Sequence, residues 1–387
     1  MNARAAGALV LGSDYKALGV VRSLGRHGIT VWVLKDEHGV ATASRFARRT
    51  LAWPSDDTER TQFLLELARR EDLDGWALFP GGDDTAALLA RAHQALSERY
   101  LVTVPPWDVL AWAYDKRKTY ALAADLGIDH PRTHYPRDHA DAVAYDGGFP
   151  AILKPAIRPV MNRFTEAKAW RVDDRAALVA RYDEACTLID PALLMIQELV
   201  EGGGDAQLSF AALCRDGEPI ASLTARRRRQ WPMDFGRAST FVETVAVPEI
   251  EAPARRMLKA LRYDGIVEIE FKRDTRDGRT KLLDVNPRVW GWHTLGARAG
   301  VDFPYLLWRS VRGESVPQTH ARTGVRWVRA LTDVPTVLRE MRGGRLGLLE
   351  YARSLLPPIE FAVLAADDPV PALVEVPDTL RLAWARR

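Results

Sequence analysis

The sequence predicts an α/β protein that turns α+β after its first domain, and three observations carry that reading. Near the N-terminus, apolar runs alternate with helical stretches in the order strand, helix, strand, which implies a parallel sheet. Past residue 190, strand-like runs come in pairs around Asp216-Gly217 and Asp277-Gly278, which implies antiparallel hairpins. The chain has 387 residues, 47% hydrophobic and 27% charged, enough for two or three domains of ordinary globular composition.

The first domain begins with Ala6 to Leu11, a buried strand by composition, followed by Gly12-Ser13-Asp14 and a helix with Leu18, Val20, Val21 and Leu24 inside. Gly28 stops that helix, and Ile29 to Leu34 is the next strand. A single Gly12 falls short of the glycine-rich dinucleotide fingerprint. The pattern repeats as a helix over Thr58 to Arg70, a strand over Trp76 to Phe79, the turn Pro80 to Asp84 and a helix from Thr85. Ligands of open α/β sheets sit at the carboxyl ends of strands, so Ser13, Asp14, Asp83 and Asp84 are candidate substrate contacts; capping of the next helix is the alternative. Pro105-Pro106 marks the end of this domain.

A helix then runs from Tyr114 to Asp125 and stops at Gly127. Phe149 to Leu153 is a strand ending in Lys154-Pro155, where the proline interrupts the ladder and the lysine is placed to enter a cleft as a phosphate ligand. Ala156 to Ala167 reads as a loop, Lys168 to Val172 as a strand, and Asp173 to about Cys186 as a helix. Leu193 to Val200 is an apolar strand meeting Glu201-Gly202-Gly203-Gly204-Asp205, a run that lets backbone approach a ligand or act as a hinge. Gln207 to Leu213 and Pro219 to Thr224 pair as strands. Arg226 to Arg229 reads as a loop gripping an anion or as a solvated turn. Ala238 to Val247 is a strand and Ile250 to Leu261 a helix.

Tyr263 to His293 is the stretch around which the chain is organised. Ile266, Glu268 and Glu270 alternate with Val267, Ile269 and Phe271, and Leu282 to Asn286 is a second strand across a charged turn. With Glu270 and Asp284 on one face, they and Asn286 form a set of hard oxygen ligands suited to Mg²⁺. The plain alternative is a solvated acidic face, disfavoured because the flanking runs are core-like and packed like charges need a compensating cation. Arg288 adds a fixed cation for phosphate or carboxylate. Thr294 to Val311 reads as one helix. The remainder holds one strand-like run, Val325 to Leu331, and reads as a covering or oligomer-forming tail.

The formal charge of +3 argues against wholesale nucleic-acid binding. Cys186 and Cys214 sit in apolar runs and read as small core residues of a reducing compartment. No apolar run nears the roughly 20 residues that cross a bilayer, and the N-terminus lacks a signal-peptide core. The expectation is a cytoplasmic protein without membrane or nucleic-acid partners.

Taken together, the segments from roughly Ala6 to Gly313 resemble the ATP-grasp superfamily. Asp115-Lys116 resembles the opening of the ATP-grasp domain. Phe149 to Pro155 resembles the strand whose lysine, here Lys154, reaches the nucleotide phosphates. Gln197-Glu198-Leu199-Val200 resembles the adenine-reading hinge, with an acid near Asp205 or Glu201 for the ribose. Glu270 with Asp284-Val285-Asn286-Pro287-Arg288 resembles the metal-binding acids and asparagine followed by the γ-phosphate arginine. Within the superfamily these residues and the following WGWH look like the carboligase branch related to carbamoyl-phosphate synthase and D-aspartate ligase. Two departures stand out: the loop Ala156 to Ala167 has no glycine, so Arg158, Arg163 or Lys168 substitutes as phosphate donor, and Asp284 stands where glutamate is usual.

The resemblance implies a pre-ATP-grasp domain over residues 1–113, a two-lobed ATP-grasp domain over 114–319 and a C-terminal extension over 320–387. It implies ATP bound by Lys116, Lys154, Lys168, Gln197, Glu198, Leu199, Val200 and Asp205, and Mg²⁺, with Mn²⁺ as substitute, on Glu270, Asp284 and Asn286. Lys154 and Arg288 are then the catalytic cations of a carboxylate–amine ligase working through an acyl phosphate on small-molecule partners, with a homodimer as an allowed assembly. Arg226 to Arg229 and Arg237 fit an anionic acceptor. An ATP-grasp kinase and a non-catalytic nucleotide-binding module are the two alternatives.

Overall fold

The computed structural model describes residues 7–157, 162–231, 233 and 238–385, without the side chains of 57 and 383–385. Arg158 and Arg237, both expected to face anions, lie outside the described residues.

The first domain is a five-stranded parallel sheet in the order Ala47–Ala52, Val31–Lys35, Ala8–Leu11, Ala77–Pro80, Leu101–Val102. The central strand Ala8–Leu11 is fully buried, as an apolar run without alternation requires in a sheet covered on both faces. Strand order reverses there, so the turns after Leu11 and Pro80 flank one crevice. They touch: the Gly81 amide donates to the Leu11 carbonyl at 2.8 Å, and a Cβ on Gly81 would stand 2.5 Å from that oxygen. The edge strand Ala47–Ala52 gave no sequence signal because it is mostly polar; Arg49 lies over the Trp32 ring at 4.6 Å.

The helix expected from Tyr114 to Asp125 forms over Lys116–Asp125, capped by the Asp115 carboxylate, which accepts from the Arg117 amide, while Tyr114 ends a separate helix, Trp107–Tyr114, that was not expected. A four-stranded antiparallel sheet follows, ordered Thr133–His134, Leu194–Glu198, Ala151–Pro155, Trp170–Val172. Pro155 does not interrupt the ladder; it pairs with Leu194 as the strand's last residue.

The third sheet runs Thr280–Asn286, Gly265–Arg273, Gln207–Arg215, Glu218–Trp231, Ala238–Thr244, Arg326–Val328, Ile359–Phe361. One face buries Phe210, Ala212, Val267 and Ile269 under the helix Pro248–Leu261; the other, with Ala211, Leu213 and Ile266, shares a core with the first domain. Two expectations change here. Arg226 to Arg229 is not a loop but the end of a 14-residue strand with a bulge at Arg228. Each of its last three arginines has an acid: Arg227 reaches Glu270 at 3.1 Å, Arg228 Glu243 at 2.9 Å and Arg229 Asp333 at 2.8 Å. The helix after His293 is broken into Thr294–Ala299 and Phe303–Val311, because Gly300 adopts φ +101° and Pro304 starts the second helix.

The segment after residue 320 is more than a cover. Its strands Arg326–Val328 and Ile359–Phe361 extend the third sheet, so a boundary at 319/320 falls inside that sheet. Its far end binds the first domain: Asp368 accepts from Arg22 Nε at 2.9 Å, Ser44 Oγ at 2.7 Å and the Arg45 amide at 2.9 Å. Among the described residues no helix is long and apolar enough to cross a membrane.

Arg229 and Asp333 are both buried, and Thr240 Oγ1 also donates to Asp333 at 2.8 Å. Asp333→Asn leaves a buried guanidinium without its counter-charge, an expected cost of about 3–5 kcal/mol. Urea unfolding reads it as a lower midpoint; an unmoved midpoint would show that this pair does not tie the C-terminal segment to the sheet.

Candidate active site

A cleft of about 900 Å³ opens where the three sheets meet. In the strand Ala151–Pro155, Ala151 and Leu153 enter the small lobe's core, so the alternation turns Ile152 and Lys154 to the cleft. The same logic in Leu194–Glu198 buries Leu194 and Ile196 and presents Gln197. Lys154 Nζ donates to Tyr120 Oη at 3.3 Å, and burial pushes the Tyr120 hydroxyl up to about 12, so the phenol stays neutral.

The hairpin supplies the acids. Glu268 stands opposite Asn286 and Glu270 opposite Asp284, all on the face toward the first domain. Asn286 Nδ2 donates to Glu268 Oε2 at 3.1 Å and Glu270 Oε1 at 3.0 Å. Burial first, then the neighbouring Glu270 charge, pushes Glu268 up to about 8, although Ser209 Oγ donates to it. Asp284 is paired instead: Lys116 Nζ lies 2.5 Å from its Oδ1. Among the described residues no three His, Cys, Asp or Glu side chains already converge as a metal set. The donors nonetheless fit a hard cation, since two acids and an amide meet at Asn286 and the crowding that raises Glu268 is what a divalent ion relieves.

Arg288 forms a fork with Asp83 at 2.9 and 3.0 Å and donates to Asn286 Oδ1 at 3.1 Å. Asp83 is therefore neither a helix cap nor a bystander; Gly82 takes the cap position, and the acid holds the arginine across the domain boundary. Asp14 does cap its helix, accepting from the Lys16 and Ala17 amides, while also lining the cleft.

The segment expected to read adenine lines the cleft, with two differences. Glu198, Leu199, Val200 and Glu201 line the cleft, but Asp205 is exposed and is not part of its lining. Lys272 Nζ already donates to the Val200 carbonyl at 2.8 Å, and buried Glu198 is held by Lys281 Nζ at 2.5 Å and Arg132 Nε at 3.2 Å. Lys168, with φ +65°, lines the cleft; Arg163 instead pairs with Glu184 at 3.0 Å outside it. The loop that carries both includes a short helix, Arg163–Ala167, capped by Asn162. Tyr120, Lys272 and Glu268 were not assigned from sequence, and Arg227 was expected only as part of an anion-gripping loop or a solvated turn. Continuing the period-two pattern of the preceding strand through the arginine run would have placed Arg227, and pairing Glu268 with Asn286 would have added the second acid.

The fold is ATP-grasp-like. A family model described as "ATP-grasp in the biosynthetic pathway with Ter operon" matches residues 193–334. The chain is similar to the carbamoyl phosphate synthase large chain of Gemmatimonas aurantiaca, 23% identical over 263 residues, covering 66% of this chain and 23% of that one. The large chain of Myxococcus xanthus is 23% identical over 312 residues, 76% of this chain and 28% of that one. The chain thus spans about a quarter of these relatives' length. Among solved structures, the biotin carboxylase domain of Hydrogenobacter thermophilus 2-oxoglutarate carboxylase, in complex with MgADP, ADP and bicarbonate, aligns with TM-score 0.65 at 16% identity, covering 82% and 73% of the two chains. L-amino acid ligase from Bacillus licheniformis aligns with TM-score 0.61 at 16% identity, covering 80% and 75%. At such identity the likeness shows the fold.

Behind the cleft, His293 is fully buried beside Trp290, and a Cβ on Gly19 would stand 2.5 Å from its Nε2. Burial pushes the imidazole down to about 4 from 6.5. The native state then binds fewer protons than the unfolded one, so this stabilisation is present above pH 6.5 and is lost as pH falls through 4. At about 1.4 kcal/mol per unit the loss is about 3 kcal/mol. Urea unfolding of wild type and His293→Gln across that range should show their difference shrinking by this amount; a constant difference would mean the histidine does not titrate on unfolding.

Proposed function

We propose that the protein is an ATP-dependent carboxylate–amine ligase that forms an amide or peptide bond through an acyl phosphate and releases ADP and phosphate. The observation that carries this reading is the meeting of Lys116, Lys154 and Arg288 with Glu268, Glu270, Asp284 and Asn286 in one cleft built from both lobes and the first domain. The wall from Gln197 to Glu201 takes the nucleoside. Glu270 and Asn286, with Asp284 once released by Lys116, would hold Mg²⁺, which would supply positive charge to offset that of the phosphates. Mn²⁺ is the alternative ion.

Lys154 and Lys116 neutralise the phosphates, and Arg288 exchanges Asp83 for the γ-phosphate. A substrate carboxylate oxygen bonds to the γ-phosphorus as the bond to the β–γ bridging oxygen breaks, giving ADP and the acyl phosphate. The amine nitrogen then bonds to the acyl carbon, the carbon–oxygen bond to phosphate breaks, and the nitrogen's proton leaves to solvent or a carboxylate. No protein nucleophile takes part; positioning and charge supply the rate.

The test is ADP and phosphate release with Mg-ATP against pooled amino acids and small carboxylates, followed by mass spectrometry. ADP, free phosphate and a condensed mass are expected; a phosphorylated product without free phosphate would make it a kinase, and binding without turnover of any pool member would favour the non-catalytic module. Glu270→Gln should lower metal-dependent ATP turnover at least a hundredfold with the fold retained, and Lys154→Ala should weaken ATP binding roughly tenfold by calorimetry, about 1.4 kcal/mol. Unchanged values would remove each from its role.

A further inference from the structure

The cations of the cleft wall come from different segments. Lys116, Lys154 and Arg288 surround the hairpin acids and are occupied by phosphate in the function proposed above. Arg329 belongs to another wall, at the head of the helix Ala330–Arg342, beside Tyr15 and Lys16 of the first domain. Its guanidinium lies over the Tyr15 ring at 4.0 Å, and its Nε donates to Glu375 at 3.0 Å. Both side chains are largely buried, at 17 and 10% exposure. A Cβ on Gly291 would stand 2.7 Å from Tyr15 Oη, so glycine there lets the tyrosine press against the backbone of the cleft wall.

Three segments distant in sequence therefore fix the plane of one guanidinium. Stacking holds its face and Glu375 its Nε, while among the described residues the two Nη groups make no hydrogen bond. An arginine fixed this way presents a planar pair of donors, the match for a carboxylate. Glu375 already offsets part of the charge, which favours a monoanionic carboxylate over a phosphate.

We infer that Arg329, held by Tyr15 and Glu375, binds a second carboxylate of the acid substrate, so that the protein selects a dicarboxylic acid, amino dicarboxylic acids included. This rests on the ligase reading for which carboxylate is activated; recognition itself does not.

Calorimetry on the full chain, with Mg-ADP present, tests it with succinate, glutarate and adipate and the monoamide of each as probes. At least one diacid should bind tenfold or more tightly than its monoamide. Arg329→Gln should abolish that discrimination with ADP affinity unchanged, Arg329→Lys should restore part of it, and Tyr15→Leu should weaken diacid binding where Tyr15→Phe does not. Equal affinities in wild type, no binding of any probe, or discrimination surviving in Arg329→Gln overturns the inference. Diacid discrimination with no ADP binding would sink the nucleotide-dependent function alone and leave the Arg329 site standing.

Discussion

Glu268 and Glu270 lie two residues apart on one strand, and the antiparallel register sets Asn286 and Asp284 opposite them, so four oxygen-bearing side chains share one face of a sheet. That face packs toward the first domain, where water cannot screen them well. Burial and the neighbouring Glu270 charge raise the cost of ionising Glu268, and the structure answers with an amide bridging both carboxylates and Arg227 against Glu270. Everything else in the cleft is arranged around that concentration of negative charge.

Two cations of the cleft are paired with acids that line it. Lys116 is on Asp284 and Arg288 is on Asp83. Such pairs keep the side chains aimed and the charges balanced; in the function proposed above, phosphates and a cation would replace these partners. Because Asp83 comes from the first domain, the Arg288 pair also joins that domain to the hairpin.

The C-terminal segment contributes to both. It completes the third sheet, neutralises Arg229 through Asp333, grips Arg22 through Asp368 and brings Arg329 to the cleft. The first domain is thereby clamped from two sides, by the docking of its first helix against His293 and by this strap, and its turns at Asp14 and Asp83 are held against the cleft.

The sequence by itself determined what depends on neighbours along the chain. The βαβ order, the hairpin around Asp277-Gly278, the facing of Glu270 and Asp284, and Lys154 at a strand end all follow from periods of two or 3.6 and from turn chemistry. Tertiary structure decided which charges meet. That Lys116 finds Asp284, that Arg288 finds Asp83, that Glu201 rather than Asp205 reaches the wall, and that an arginine run is strand rather than loop depend on segments up to 205 positions apart. Local propensity is blind to such partners, because a charge is placed by the acid that compensates it when both leave water, and that acid is chosen only as the sheets close on one another.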